Sequence, residues 1–264
     1  MREFFGFGGY QREPEGYLSW QHLVFVTSLM VVMVVLAILF GRKYRDASEA
    51  QRNKVLIFAA IIMDGVEIFK IIIHCVRSGD PMGWMNSLPL FLCSIQFITV
   101  PLAALSKGRL KEASLDFIFI FGLLGALLGT YAAGNNYAVY PVISLENVVS
   151  GITHATAGFA CIYVCMTGMA TMKRKNILLT VDLLLSFCVI AYVVNLFRGS
   201  NYMFLMRGDG TPYDIIYNWV DGNRILYPLG VIALFLVYIA LFRLVYHLID
   251  AKCRARKEQT AIAA

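Results

Sequence analysis

Charge is what this sequence has least of. Asp, Glu, Lys and Arg make up 15% of its 264 residues, where an ordinary soluble domain carries about 25%. With 59% hydrophobic residues, that shortage excludes a soluble globular domain. Also missing is an apolar core in the first 20 residues, where Arg2, Glu3, Arg12, Glu13 and Glu15 surround a Gly/aromatic stretch; this excludes a secretory signal peptide. There is no HxxxH or CxxC spacing, so no tight metal or redox motif. No internal repeat, low-complexity linker or pair of broken segments marks the chain as an inverted-repeat transporter. The six cysteines do not make a secreted disulfide framework. Cys161, Cys165 and Cys188 fall deep in apolar runs, where Cys acts as a small hydrophobe. Cys75 and Cys93 fall near a common boundary, and spacing leaves open whether they pair. Cys253, just past the last run, is a palmitoylation candidate.

What is present is a series of long apolar runs. A helix needs roughly 20 apolar residues to cross about 30 Å of hydrocarbon, and seven runs qualify: 21–40, 55–76, 87–106, 115–133, 148–171, 177–197 and 225–248. They lack the alternation of a membrane barrel, which leaves helices as the way to satisfy the backbone in lipid. The expected architecture is all-α, a polytopic seven-helix transmembrane bundle. An extracytoplasmic segment, 1–20, precedes the domain at 21–248, and a basic cytoplasmic tail, 249–264, follows it. Orientation comes from the basic residues. Arg42, Lys43, Arg45, Arg52, Lys54, Lys107, Arg109, Lys111, Lys173, Arg174, Lys175, Lys252, Arg254, Arg256 and Lys257 would share one side. Arg2, Arg12, Arg77, Arg198, Arg207 and Arg224 would lie on the other. The alternation predicts an outside N-terminus and a cytoplasmic C-terminus. The net charge of +6 is then a topology signal spread over short segments, which excludes a nucleic-acid surface. Two outer segments, 134–147 and 198–224, are long enough to serve as lids.

Polar residues inside the runs point to function, because an ionisable group at membrane depth costs at least ~2.5 kcal/mol. The second run carries Asp64, Glu67, Lys70 and His74 on one helical face. Glu67 and Lys70, three apart, suit an internal ion pair; Asp64 and His74 remain to be explained. In the fifth run Asn147, Gly151, His154, Gly158, Cys161 and Cys165 share a face of small and polar residues, unlike a lipid-facing surface. Gly122, Gly125 and Gly129 in the fourth run include a GxxxG pair, which ordinarily serves close helix packing.

His22, His74, Cys93 and His154 all reach one layer just below the outer boundary if the orientation holds. Gln96 shares a face with Cys93. Such a layer has several chemical readings. A Cys beside a His forms a nucleophile and its base; imidazole and thiolate together suit zinc; ligand binding or structural hydrogen bonding needs neither.

Four short elements also resemble the YwaF-like family of integral membrane proteins. They are Trp20-Gln21-His22-Leu23, Ser87-Leu88-Pro89-Leu90-Phe91-Leu92-Cys93-Ser94, His154, and Gly199-Ser200-Asn201-Tyr202-Met203-Phe204-Leu205, in order from about residue 18 to residue 245. That resemblance implies transmembrane acyltransferases moving fatty acyl chains onto lysophospholipids, ether lipids among them. Cys93 would be the acyl-accepting nucleophile and His154 the base. Such relatives often carry a polar residue two positions before the cysteine, where this chain has Phe91.

The expectation is therefore a multi-pass membrane protein and a lipid-directed acyltransferase working near the outer leaflet. Its catalytic groups would be Cys93, His154 and His74. Its substrate-binding groups would be His22, Glu67, Gln96, Asn201 and Tyr202. No cofactor and no metal are expected, and the partners are membrane phospholipids or lysophospholipids. The alternative is a seven-helix receptor, sensor or transporter binding a small apolar or lipid-like ligand in an outer-facing cavity.

Overall fold

Polar caps, rather than the edges of the apolar runs, decide where the first helices begin. Ser19 Oγ accepts from His22 N–H at 3.3 Å and opens α1, Trp20–Tyr44. Ser48 and Gln51 form a reciprocal capping box that opens α2, Glu49–Ser78, six residues before the apolar run. Gly79, at φ 68, ends α2 in the left-handed region that costs glycine little. Ser144 Oγ accepts from Asn147 N–H at 3.3 Å and opens α6, Leu145–Met166.

The computed structural model describes residues 2–263. The side chains of Asn86, Arg254 and residues 256–263 lie outside the description, and with them Arg254, Arg256 and Lys257 of the expected basic tail. The described residues are helical with no strand. The remaining helices are α3, Gln96–Leu105; α4, Gly108–Tyr131; α5, Gly134–Val139; α7, Ile177–Arg198; α8, Asp214–Trp219; and α9, Leu226–Ala263. Five stretches are long and apolar enough to cross a membrane: Trp20–Tyr44, Gly108–Val139, Leu145–Met166, Arg174–Arg198 and Leu226–Cys253. The chain is a multi-pass membrane protein.

Two of the seven expected spans differ from that description. The helix α2 has the length, 30 residues, but Asp64, Glu67 and Lys70 interrupt its apolar middle. The run 87–106 is helical only in its second half, since α3 has 10 residues. Pro89 disfavours a helix running through Leu88, because a residue before proline is pushed out of the α region. The chain instead passes through tight turns, with Ser94 N–H and Ile95 N–H both donating to the Phe91 carbonyl at 2.9 and 3.3 Å. Such irregular backbone is tolerated at membrane depth where protein buries it or where it lines a cavity.

The chain divides into two compact units, Met1–Thr180 and Val181–Ala264. In the first, α6 is the central helix and packs against α1, α2 and α4. Its small residues explain why. A Cβ on Gly151 would stand 2.6 Å from Leu29 Cδ1 of α1, and one on Gly158 would stand 2.8 Å from Ala126 Cβ of α4. The facing Gly122 of α4 would meet Cys161 Cβ at 2.7 Å. Backbones that approach this closely exchange volume for dispersion contact, the attraction available between helices in lipid. Behind this seam Leu56, Met63, Val100, Leu115, Ile118 and Tyr163 form the main core cluster. At the other end of α6, Asp116 accepts from Thr171 N–H at 3.1 Å and Met172 N–H at 2.9 Å, holding the turn that follows the helix.

The segment before α1 docks where α2 ends and α6 begins. Leu145 N–H donates to the Phe4 carbonyl at 2.9 Å, Val142 N–H to Glu15 Oε2 at 2.7 Å, and Phe5 meets Phe69 edge-on. In the second unit, Asn195 clamps the turn after α7. Its amide donates to the Tyr202 carbonyl at 3.0 Å and its oxygen accepts from Tyr202 N–H at 2.8 Å.

Candidate functional site

The turn that precedes α3 delivers Cys93 to the seam between α4 and α6. Cys93 is half-buried, and its sulfur lies within electrostatic reach of the His154 imidazole and beside the Ser94 hydroxyl. His154 projects from the third turn of α6. Its Nδ1 donates to the Ser150 carbonyl at 2.7 Å, one helical turn back, with the Ser150 hydroxyl at 3.4 Å. That bond places the ring proton on Nδ1, so Nε2 keeps the lone pair with which an imidazole accepts a thiol proton. The floor under both residues is α4. An ideal Cβ on Gly129 would fall 1.9 Å from His154 Cδ2 and 2.0 Å from Nε2, and one on Gly125 would fall 3.5 Å from Cys93 Cβ. Lys70, on α2, is within electrostatic reach of the His154 ring.

Near Cys93 along the chain is Gln96, buried at the first position of α3. Its side-chain oxygen accepts from Thr99 Oγ1 at 3.2 Å, while its Nε2 has no hydrogen-bond partner among the described residues. A buried amide donor without a partner is costly unless something else satisfies it.

Of the other residues singled out from the sequence, those of the first unit have other partners. His74 Nε2 meets Glu146 Oε1 at 3.2 Å, where Arg77 Nη1 also binds at 2.8 Å and the Tyr10 hydroxyl reaches Oε2. Burial, with the Glu146 carboxylate beside it, pushes the Tyr10 phenol well above its usual range. Glu67 and Lys70 pair at 2.7 Å. His22 is fully buried; Nδ1 accepts from Leu18 N–H at 3.1 Å, Nε2 faces the Thr130 carbonyl at 3.1 Å, and the Tyr137 ring lies tilted against the imidazole at 3.8 Å between centroids. Both nitrogens are thereby committed to the backbone. Asn201 and Tyr202 belong to the second unit. Asn201 accepts from Met206 N–H at 2.9 Å and donates to the Arg207 carbonyl at 2.8 Å, while Tyr202 is buried beside Asn195. Cys75 and Cys93 are both free thiols, and Cys253 is exposed. No group of three or more His, Cys, Asp or Glu that could hold a metal occurs among the described residues.

Comparison with known families bears on the whole of this arrangement. A family model, that of the TMEM164 family, matches residues 17–249. The chain belongs to the TMEM164 family. Residues 17–249 take in Cys93, His154, the glycines beneath them and the loop around Asn201. This membership overturns the resemblance to the YwaF-like family. The elements that carried it are short and built from Leu, Phe, Gly and Ser, residue types common in any membrane helix, so their order discriminates poorly. With it goes the expectation of a polar residue at Phe91. No curated protein and no solved structure matches the chain.

Glu146, Ser150 and Ser94 were missed from the sequence. A signal existed for two of them. Glu146 is an acidic residue in the first turn of an otherwise apolar helix, a position the helix dipole favours. Ser150 stands four residues before a histidine, one turn away on the same face.

Proposed function

We propose that this TMEM164-family protein is a lipid-directed acyltransferase with Cys93 as nucleophile and His154 as its base. The observation that carries the reading is that Cys93 and His154 lie over one face of α4, against Gly125 and Gly129 one turn apart, with the imidazole's other nitrogen tied to the Ser150 carbonyl. Nucleophile, base and orienting group stand in sequence, as thiol chemistry requires.

His154 Nε2 takes the thiol proton, and the thiolate attacks the ester carbonyl of a phospholipid. The carbonyl carbon–oxygen single bond breaks, the departing alkoxide takes the proton back from the imidazolium, and a lysophospholipid leaves a thioester on Cys93. The hydroxyl of an acceptor lysophospholipid then gives its proton to His154 and attacks the thioester. The acceptor becomes the acylated lipid and the thiolate is released, to be reprotonated by the imidazolium. Gln96 Nε2 is suited to donate to the oxyanion formed in each attack. No oxidant, metal or nucleotide enters this balance.

The same reading takes α2 and the α3 segment as crossing with the five longer stretches, giving seven crossings. Charges on α2 are compatible with that path, because Glu67 and Lys70 neutralise each other and their helix packs on α6. The distribution of Lys and Arg supports an outside N-terminus, which would put Cys93 toward the outer leaflet.

The test is reconstitution in phosphatidylcholine vesicles with a labelled acyl donor and a lysophospholipid acceptor. Transfer by the wild type, a thioester on the Cys93 peptide and loss of both in Cys93→Ala are expected. Full turnover by Cys93→Ala would overturn the reading, as would an inert Cys93; a receptor or transporter has no use for a reactive thiol.

A further inference from the structure

The three glycines of α4 stand three and four residues apart on one face, yet they meet different neighbours. A Cβ at Gly122 would strike Cys161 Cβ at 2.7 Å and the Ala157 carbonyl oxygen at 2.9 Å, both on α6. Here glycine serves the approach of two helices. A Cβ at Gly125 would touch Cys93 Cβ at 3.5 Å, an ordinary contact. A Cβ at Gly129 would lie 1.9 and 2.0 Å from Cδ2 and Nε2 of His154, inside the ring's own van der Waals envelope. The atoms it strikes include the nitrogen left free by the bond from Nδ1 to Ser150.

We propose that Gly129 is a positioning residue for His154. Its missing Cβ lets the imidazole lie against α4 with Nε2 toward Cys93. The two members of the GxxxG pair of α4 thereby differ in what they do. Gly129 gives the base its resting place, whereas a Cβ at 125 would make only an ordinary contact with Cys93. The ring cannot escape a Cβ at 129 by a small adjustment. Rotating it breaks the Ser150 bond, and withdrawing it parts Nε2 from the thiol. The inference rests on the Cys93–His154 reading, and the experiment separates the two.

The probe is a long-chain alkyl maleimide presented to the full-length protein in detergent, with labelling read at the Cys93 peptide by mass spectrometry. An unassisted thiol is only a few per cent thiolate at pH 7. His154→Ala should therefore slow Cys93 labelling by about tenfold or more. Gly129→Ala should slow it to a similar degree, and the double variant should be no slower than either, because both remove one interaction. Gly125→Ala should label like the wild type. Gly122→Ala should lower the melting temperature, and in its folded fraction Cys93 should still respond to His154→Ala.

Melting supplies a second readout that holds if Gly129→Ala folds poorly. The added Cβ clashes with the imidazole, so Gly129→Ala/His154→Ala should melt above Gly129→Ala alone. Labelling of Gly129→Ala at the wild-type rate overturns the inference. So does a double variant slowed by the product of the two single effects, or one that melts no higher than Gly129→Ala. If His154→Ala itself leaves labelling unchanged, the Cys–His pair fails and the role of Gly129 falls with it.

Discussion

His154 Nδ1–H donates a hydrogen bond to the carbonyl of Ser150, 2.7 Å away and one turn earlier on α6. The acceptor is backbone, so the tautomer does not depend on the identity of residue 150. The Ser150 hydroxyl, at 3.4 Å, is a weaker neighbour.

Ser150→Ala should accordingly keep most of the acyl-transfer activity, whereas His154→Ala should lose about 10²–10⁴-fold, the usual contribution of a positioned acid–base group. Turnover of a labelled acyl donor in vesicles measures both. Equal losses in the two variants would mean that the hydroxyl, not the carbonyl, orients the ring.

The cluster around Glu146 should behave as a clasp and not as part of the reaction. Glu146→Gln weakens the acceptor shared by Arg77, His74 and Tyr10, and should cost about 2 kcal/mol of stability. His74→Ala should cost less, because Arg77 keeps its partner, and should leave Cys93 alkylation unchanged. Detergent melting and site-resolved alkylation on the same samples check this. A His74→Ala variant that melts normally but no longer alkylates would return His74 to the reacting groups.

His22 should also prove structural. Truncation to Ala leaves the Leu18 N–H and the Thr130 carbonyl without their partners, and should cost about 2 kcal/mol. Cys93 labelling in the folded fraction should match the wild type. Labelling that falls while the melting temperature holds would contradict this.

The N-terminal segment should release in alkali. Burial and the adjacent Glu146 raise the Tyr10 phenol in the folded state. Its contribution is thus complete below the unfolded value of about 10 and drains away as pH rises beyond it. Protease cleavage within residues 2–19 should rise with pH above about 10 in the wild type. In Tyr10→Phe cleavage should already be faster at neutral pH and should lack that part of the pH dependence. Identical profiles for the two proteins would remove Tyr10 from the clasp.

The membrane class was legible because long apolar runs have few other uses. The Glu67–Lys70 pair was legible from its i, i+3 spacing. The start of α3 was partly legible: Pro89 was in view, but an apolar stretch does not reveal how long the chain stays in turns after a proline. Glycine spacing showed that α4 would be approached closely, but not by what. Whether a missing Cβ accommodates a backbone, as at Gly122, or an imidazole, as at Gly129, depends on the rotation of α6 about its own axis. The binding of Glu146 by Tyr10, His74 and Arg77 joins residues up to 136 positions apart, and no local pattern records such a pairing. The layer of histidines was a statement about depth alone. His22, His74 and His154 end on three different partners, since depth says nothing about direction.

The ten residues of α3 extend about 15 Å, roughly half of a hydrocarbon layer, and Cys93 stands just ahead of them in the turns that follow Pro89. The thiol is therefore carried at the junction of turns and a short helix, not on the shaft of a long one. The helix itself is anchored, since Val100, Ala103 and Ala104 of α3 belong to the main core cluster, so the placement of the sulfur is set by a few turn residues ahead of a fixed helix.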